Sequence, residues 1–217
     1  MRGRAALAVA LLLLVASAAV VPAYAKPTGD FVEGAGGPAK GKLLVAARHL
    51  RGLSSFAESV ILLVDHGPEG STGLIINRPS RMRLSEVLPS RGDVKTRGDA
   101  LWVGGPVQPT RLMLLARAHE RLPDGFPIFA EVQLVLTKRG LDRAFGRGIP
   151  PAAVRAYAGF AGWSPGQLDR EIADGDWYVV DAEVKSVFST EPRDLWSVLI
   201  EGAAGRWVRR VGAQAPT

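Results

Sequence analysis

The chain has 217 residues, 47% hydrophobic and 22% charged, with a formal net charge of +6 and no cysteine. That length and apolar fraction allow one globular domain or a small pair, and the missing thiols exclude disulfides, cysteine nucleophiles, zinc–thiolate sites and a lipid-modified N-terminal cysteine. The positive balance invites anionic partners, but Arg48, Arg51, Arg78, Arg97, Arg111, Arg155 and Arg206 are scattered over the length instead of gathered on one helix, so nucleic acid is a disfavoured partner.

Arg2 and Arg4 precede an uncharged apolar run from Ala5 to Val21, followed by Pro22-Ala23-Tyr24-Ala25. A basic n-region, an apolar h-region and an A-x-A site make residues 1–25 a secretory signal, with cleavage expected after Ala25 and an exported product, periplasmic or secreted. An uncleaved anchor is the alternative, because about seventeen apolar residues is the short edge of what spans a bilayer; it is also the one membrane attachment the sequence suggests. Residues 26–40, rich in Gly, Pro, Ala and Thr, read as a flexible linker, residues 41–207 as one domain and residues 208–217 as a disordered tail.

In the domain, Lys42–Ala47 predicts a first strand, and His49–Ser55 a loop leading to Phe56, whose ring should anchor the chain beside that strand. Val60–Val64 and Thr72–Ile76 are short β-branched and aliphatic runs without helical period, as in strands buried on both faces. Between them Asp65-His66-Gly67-Pro68-Glu69-Gly70-Ser71 has the residues of a hairpin loop, and Asn77-Arg78-Pro79 should end the pairing, since proline offers no N–H to a ladder. Met82, Leu84, Val87 and Leu88 suit one short amphipathic helix ended by Pro89, and Ser90–Asp99 a charged loop.

Leu101–Val103 predicts a strand running into Gly104-Gly105-Pro106-Val107, with Leu112–Ala116 as its neighbouring strand. His119–Gly125 reads as a polar loop, and Ile128–Leu136 as containing a strand centred on Val132–Leu136. Thr137 can cap a helix over Lys138–Phe145 that Gly146 and Gly148 end. Val154–Phe160 alternates as a strand, with Val154, Ala156, Ala158 and Phe160 on one face, ending at Gly162-Trp163. Ser164, Pro165 and Gln167 then form a capping box for a helix to about Asp174, closed by Gly175. Trp177–Val180 predicts a strand and Val184–Phe188 another or its extension. Thr190 and Pro192 open a terminal helix burying Leu195, Trp196, Leu199 and Ile200 and ended by Gly202 or Gly205.

Single helices inserted among many strands favour an α+β fold with a mixed or antiparallel sheet. Three segments carry a resemblance: F-x-x-S-V from Phe56 with Asp65-His66 and E-G-x-x-G-L-x-x-N-x-P from Glu69; Gly104-Gly105-Pro106-Val107; and Gly159 to Ile172, GFAGWSPGQLDREI. In these the chain resembles the AlgH/YqgE family over nearly the whole domain. The resemblance implies a single α+β domain with a strongly bent sheet partly closed into a barrel and helices packed outside. It departs from the family at Arg48-His49-Leu50-Arg51-Gly52, basic where members usually carry a small acidic or polar cluster.

Asp65, His66, Glu69, Asn77 and Arg78 are expected at one rim of the hairpin, where an acid beside an imidazole could orient a general base, or with Glu69 ligate a metal. Adjacent strand residues point to opposite faces, which argues against that and for hydrogen-bonded hairpin ends. Gly104 and Gly105 could present backbone N–H groups to a phosphate, or simply form a tight turn. Trp163 with Gln167 could floor a ligand cleft beside them, or lie in the core. His49 and His119 read as solvated. Ser71, Ser164 and Ser189 lie in no G-x-S-x-G elbow. The sequence therefore implies an exported, non-catalytic domain binding a protein or small ligand at the cell envelope, with no cofactor and no metal. A hydrolase at the Asp65/His66/Glu69/Asn77 rim is the alternative. Family members are often labelled transcriptional regulators, but no helix-turn-helix pattern is present and an exported protein would not meet a promoter.

Overall fold

The computed structural model describes residues 37–212 except 53, 96, 147 and 148, with backbone alone after residue 203. The expected signal segment, most of the linker and the tail beyond Gly212 lie outside the described residues.

The apolar runs pair as a meander. Strands β1 (Lys42–Ala46), β2 (Val60–Gly67) and β3 (Gly70–Ile75) are antiparallel neighbours, with Leu43 opposite Leu62 and Ile61 opposite Ile75. Val60, Ile61, Leu62 and Leu63 are all fully buried, as a strand covered on both faces requires. Strands β4 (Pro79–Arg83), β5 (Ala100–Val103), β6 (Val107–Arg117), β7 (Gly125–Phe129) and β8 (Val132–Val135) precede the spine of the sheet, β9 (Val154–Trp163). Along one edge β9 takes β3 at Ala161–Trp163 and then, in parallel, β5 at Ala156–Ala158; β6 follows its other edge. Beyond β6 come β8 and β7, and β10 (Trp177–Asp181) closes the far side against β1.

Breaks in register bend this sheet. Between Leu63 and Asp65, and between Val107 and Leu112, one strand gains residues on its partner, which sharpens local twist. Gly159 sits at φ +70°, so Phe160 leaves the face shared by Ala156 and Ala158 and packs in the main core instead. The result is a single α+β domain whose mixed, largely antiparallel sheet curls into a half-barrel, as expected. The main core lies about β1, β2, β3 and the C-terminal half of β9, and a second about Leu84, Val94, Leu101, Leu114, Phe145 and Val154.

Helices α1 (Leu84–Val87), α2 (Gly92–Lys95), α3 (Lys138–Gly146), α4 (Gln167–Ala173), α5 (Val184–Val187) and α6 (Leu195–Gly212) complete the described chain. Thr137 caps α3 as predicted, its Oγ1 accepting from the Gly140 N–H at 3.0 Å. Gly175 closes α4 with paired bonds, from its own N–H to Ile172 and from the Asp176 N–H to Glu171. α6 docks on β1 through the Trp196 Nε1–H bonded to the Ala46 carbonyl at 2.8 Å.

Several local expectations are corrected. Pro79 does not end pairing but opens edge strand β4, where its missing N–H costs nothing. The helix expected over 82–88 is strand as far as Arg83 and then one turn, leaving Met82 and Val87 exposed. The loop over 90–99 contains α2, which buries Val94. Leu101–Val103 and Leu112–Ala116 are separated by β9 and do not pair. α4 starts two residues late, because Gly166 is left-handed; Gln167 bonds back to the Ser164 N–H, but the Ser164 side chain caps nothing. Val184–Phe188 is a helical turn, not a strand. α6 continues through Gly202 and Gly205.

Candidate functional site

The expected rim is two separate places. β2 runs on through Asp65, His66 and Gly67, and the reversal shrinks to Pro68-Glu69. Asp65, His66 and Glu69 stand at that end. Asn77 and Arg78 follow β3 at its other end, beside the start of β2, about 20 Å away at the rise of an extended chain. The structure thus corrects the expected convergence.

The chemistry at each end is legible. Asn77, buried, accepts from the Val60 N–H and donates to the Glu58 carbonyl, both at 2.9 Å. Arg78 donates to the carbonyls of Ser55 and Ala57 at 2.6 and 2.8 Å, and burial lowers its pKa. Together they lace the loop before β2 to the sheet. At the turn, His66 Nδ1 lies 2.8 Å from Ser71 Oγ across the ladder, while Asp65 and Glu69 are exposed. A serine and an imidazole in contact are two parts of a nucleophilic site, yet Asp65 points to the other face of β2 and cannot orient that ring. Among the described residues no three His, Asp or Glu side chains gather for a metal. His49, read as solvated, is exposed and lies 2.8 Å from Asp176 Oδ1.

Gly104 and Gly105 act as packing. The Gly104 N–H bonds the Ala158 carbonyl and its own carbonyl receives the Ile75 N–H, so this residue stitches β3 to β9. A Cβ at Gly104 would stand 2.2 Å from the Gly159 oxygen, and one at Gly105 2.2 Å from the Phe160 carbonyl carbon. Trp163 is core as well. Its ring stacks on Phe56 with centroids 6.2 Å apart and meets Trp177 edge-on at 6.1 Å. Both indole N–H groups donate to Glu171 Oε2 at 2.8 Å, and Gln167 Nε2 donates to Oε1 at 2.9 Å. Glu171, part of the third signature but unremarkable in sequence, is therefore the polar keystone of an aromatic cluster.

One constellation has no structural explanation of this kind. Among the described residues three buried side-chain polar atoms lack a hydrogen-bond partner, Ser59 Oγ, Arg155 Nη1 and Tyr157 Oη. Two of the three share one face of β9. Arg155 is 8% exposed and Tyr157 fully buried. The guanidinium lies over Trp102 at 3.9 Å and 5.8 Å from the Phe188 ring, with Nη2 donating to the Ser189 carbonyl. No ion pair joins Arg155 to an acid among the described residues. Burial lowers its pKa, and burial raises that of Tyr157 against the favourable pull of the nearby guanidinium. Stacking on an aromatic face contributes about 2 kcal/mol once desolvated, less than the several kcal/mol that burying an ion costs. Sequence reading missed this group because Arg155 looks like the outward position of an alternating strand. The faint signal was a charge between Val154 and Ala156 in an otherwise apolar run.

With this geometry in hand, comparison with known proteins gives a consistent answer. Residues 43–207 match the family described as AlgH-like. A UPF0301 protein of Thermobifida fusca is 36% identical over 174 residues, covering 76% of this chain and 87% of its own length. Another, of Chlorobium luteolum, is 32% identical over 170 residues, covering 78% and 88%. Among solved structures, a Corynebacterium diphtheriae protein superposes with a TM-score of 0.66 at 27% identity over 77% of this chain and 88% of its own. The AlgH protein of Pseudomonas aeruginosa does so with 0.62 at 27% identity, over 82% and 95%.

Proposed function

The chain belongs to the AlgH-like family, and from its architecture we propose that it is a binding domain without catalytic turnover, exported and acting on a protein or small ligand at the cell envelope. The carrying observation is the dispersal of the rim: the acid–imidazole end and the amide–guanidinium end lie at opposite ends of one hairpin, and Asn77 and Arg78 are committed to backbone. A site built for chemistry needs its groups within hydrogen-bond reach of one reacting atom. Export is supported by the basic, apolar and A-x-A pattern of residues 1–25. N-terminal sequencing of the product from the producing cell should begin at Lys26 in a fraction outside the cytoplasm. An intact Met1 on cytoplasmic protein overturns the address. Incubation with envelope extracts should give saturable, competable capture of a defined partner, and robust substrate turnover by the purified chain would overturn the binding role.

A hydrolytic reading is favoured by one contact, that of His66 Nδ1 with Ser71 Oγ. If it holds, Ser71→Ala and His66→Ala each abolish a measured esterase activity while leaving the melting temperature near that of the parent. Unchanged activity in both variants removes it.

A further inference from the structure

We infer that the face of β9 beneath residues 183–191 is a binding site for a carboxylate carried on an apolar body, with Arg155 Nη1 and Tyr157 Oη as its donors and Trp102 and Phe188 as its walls. The inference rests on the binding role proposed above and deepens it by naming the place and the ligand class.

Four observations converge. First, both donors are sealed from solvent and have no protein acceptor, whereas buried polar groups in folded proteins are almost always paired. Second, Arg155 and Tyr157 stand two apart on one strand, so their side chains leave the same face about 7 Å apart at their roots, a span that one carboxylate can bridge. Third, the charge present is a single guanidinium beside a neutral hydroxyl. A carboxylate neutralises it, whereas a phosphate dianion would bring surplus charge into a site walled by aromatic rings. Fourth, the cover is firmly placed. Segment 183–191 is folded by short-range bonds, Ser186 and Val187 N–H to Glu183, Phe188 N–H to Val184, and Glu191 N–H to the Ser189 hydroxyl, and Val187, fully buried, seats it on the main core. Arg155 Nη2 ties it to the sheet through the Ser189 carbonyl. That bond leaves Nη1 free, so a ligand carboxylate adds a charged acceptor to the guanidinium without displacing the Ser189 carbonyl. Trp102, 8% exposed, backs the guanidinium from one side, and the half-buried Phe188 ring, 5.8 Å from it, supplies the apolar wall for the ligand's body.

The test titrates the purified full-length chain with benzoate, acetate and inorganic phosphate at constant ionic strength, following tryptophan fluorescence and melting temperature. Benzoate is expected to saturate both signals, acetate to bind more weakly for want of an apolar body, and phosphate not to saturate. Tyr157→Phe should weaken benzoate about tenfold, the loss of one hydrogen bond to a charged group, and Arg155→Met should abolish binding. Should the Met variant not fold, the Phe variant decides. Benzoate binding equally to Tyr157→Phe, saturation by phosphate in preference to benzoate, or no response to any of the three overturns the inference. In those cases capture of an envelope partner still tests the broader binding role, so the two can fail separately.

Discussion

Removing the Glu171 carboxylate tests whether the aromatic cluster is held by its polar keystone or by ring packing alone. Trp163 and Trp177 are 6% and 2% exposed, and each indole N–H ends on Glu171 Oε2. In Glu171→Ala both donors lose their acceptor inside the core, at about 1–3 kcal/mol apiece, partly relieved where water can reach the half-buried carboxylate's place. A net loss of about 3 kcal/mol is expected, or about 6–12 °C in melting temperature for a domain of this size. Glu171→Gln separates charge from shape. The Gln167 amide is fixed in orientation, because its oxygen accepts the Ser164 N–H while its nitrogen donates to Glu171 Oε1. A glutamine at 171 can keep its oxygen on the indoles only by turning its own N–H₂ toward that donor, so it should lose about 1–2 kcal/mol. Urea unfolding measures both variants, and near-ultraviolet circular dichroism reports the tryptophans. Losses below about 0.5 kcal/mol in both would refute the keystone and leave the ring contacts as sufficient.

Gly105→Ala would set a Cβ 2.2 Å from the Phe160 carbonyl carbon; loss of soluble folded protein, or a drop of more than about 3 kcal/mol, is expected in expression and melting assays. Gly67→Ala is the control, since nothing lies within 4 Å of its Cβ position, and its melting temperature should match or slightly exceed the parent's. Asn77→Ala strands the Val60 N–H and the Glu58 carbonyl and should cost about 2–3 kcal/mol in urea unfolding. Asp99→Ala leaves Arg97, whose side chain is 12% exposed, without its carboxylate; about 3–5 kcal/mol is expected, with Asp93→Ala, an exposed partner of Arg91, costing under about 1 kcal/mol.

Where the sequence could be read, it was because one local rule sufficed. Val60–Val64 and Thr72–Ile76 are too apolar and too short to be anything but buried strands, and Thr137 and Gly175 carry caps that act within one turn. It could not be read where a partner distant in sequence decided. Met82, Leu84, Val87 and Leu88 satisfy helical spacing, yet β5 claims Pro79–Arg83 as an edge strand and leaves one turn over. Val184–Phe188 is the exception: its apolar residues fall at 184, 187 and 188, a helical spacing within the segment itself, and one helical turn forms there. Asn77 and Arg78 looked functional because they are polar beside a strand. Their bonds to the carbonyls and N–H groups of Ser55, Ala57, Glu58 and Val60, some twenty residues back, cannot be inferred from the segment itself.

The strongest candidate site was hidden by a distant partner of the same kind. On a strand, parity assigns faces but not what covers them. Arg155 and Tyr157 take the face opposite Val154, Ala156 and Ala158, and a polar residue at that parity reads as solvent-facing. β9 is the spine, however, flanked by β5 and β6, and Trp102 with segment 183–191 roofs the face that parity left open. A strand covered on both sides has no cheap place for a guanidinium, and apolar residues of similar length would fill the space at least as stably. A charge kept there at such expense, next to a hydroxyl equally without a partner, is accounted for more economically by an anion that visits than by the packing of the domain alone.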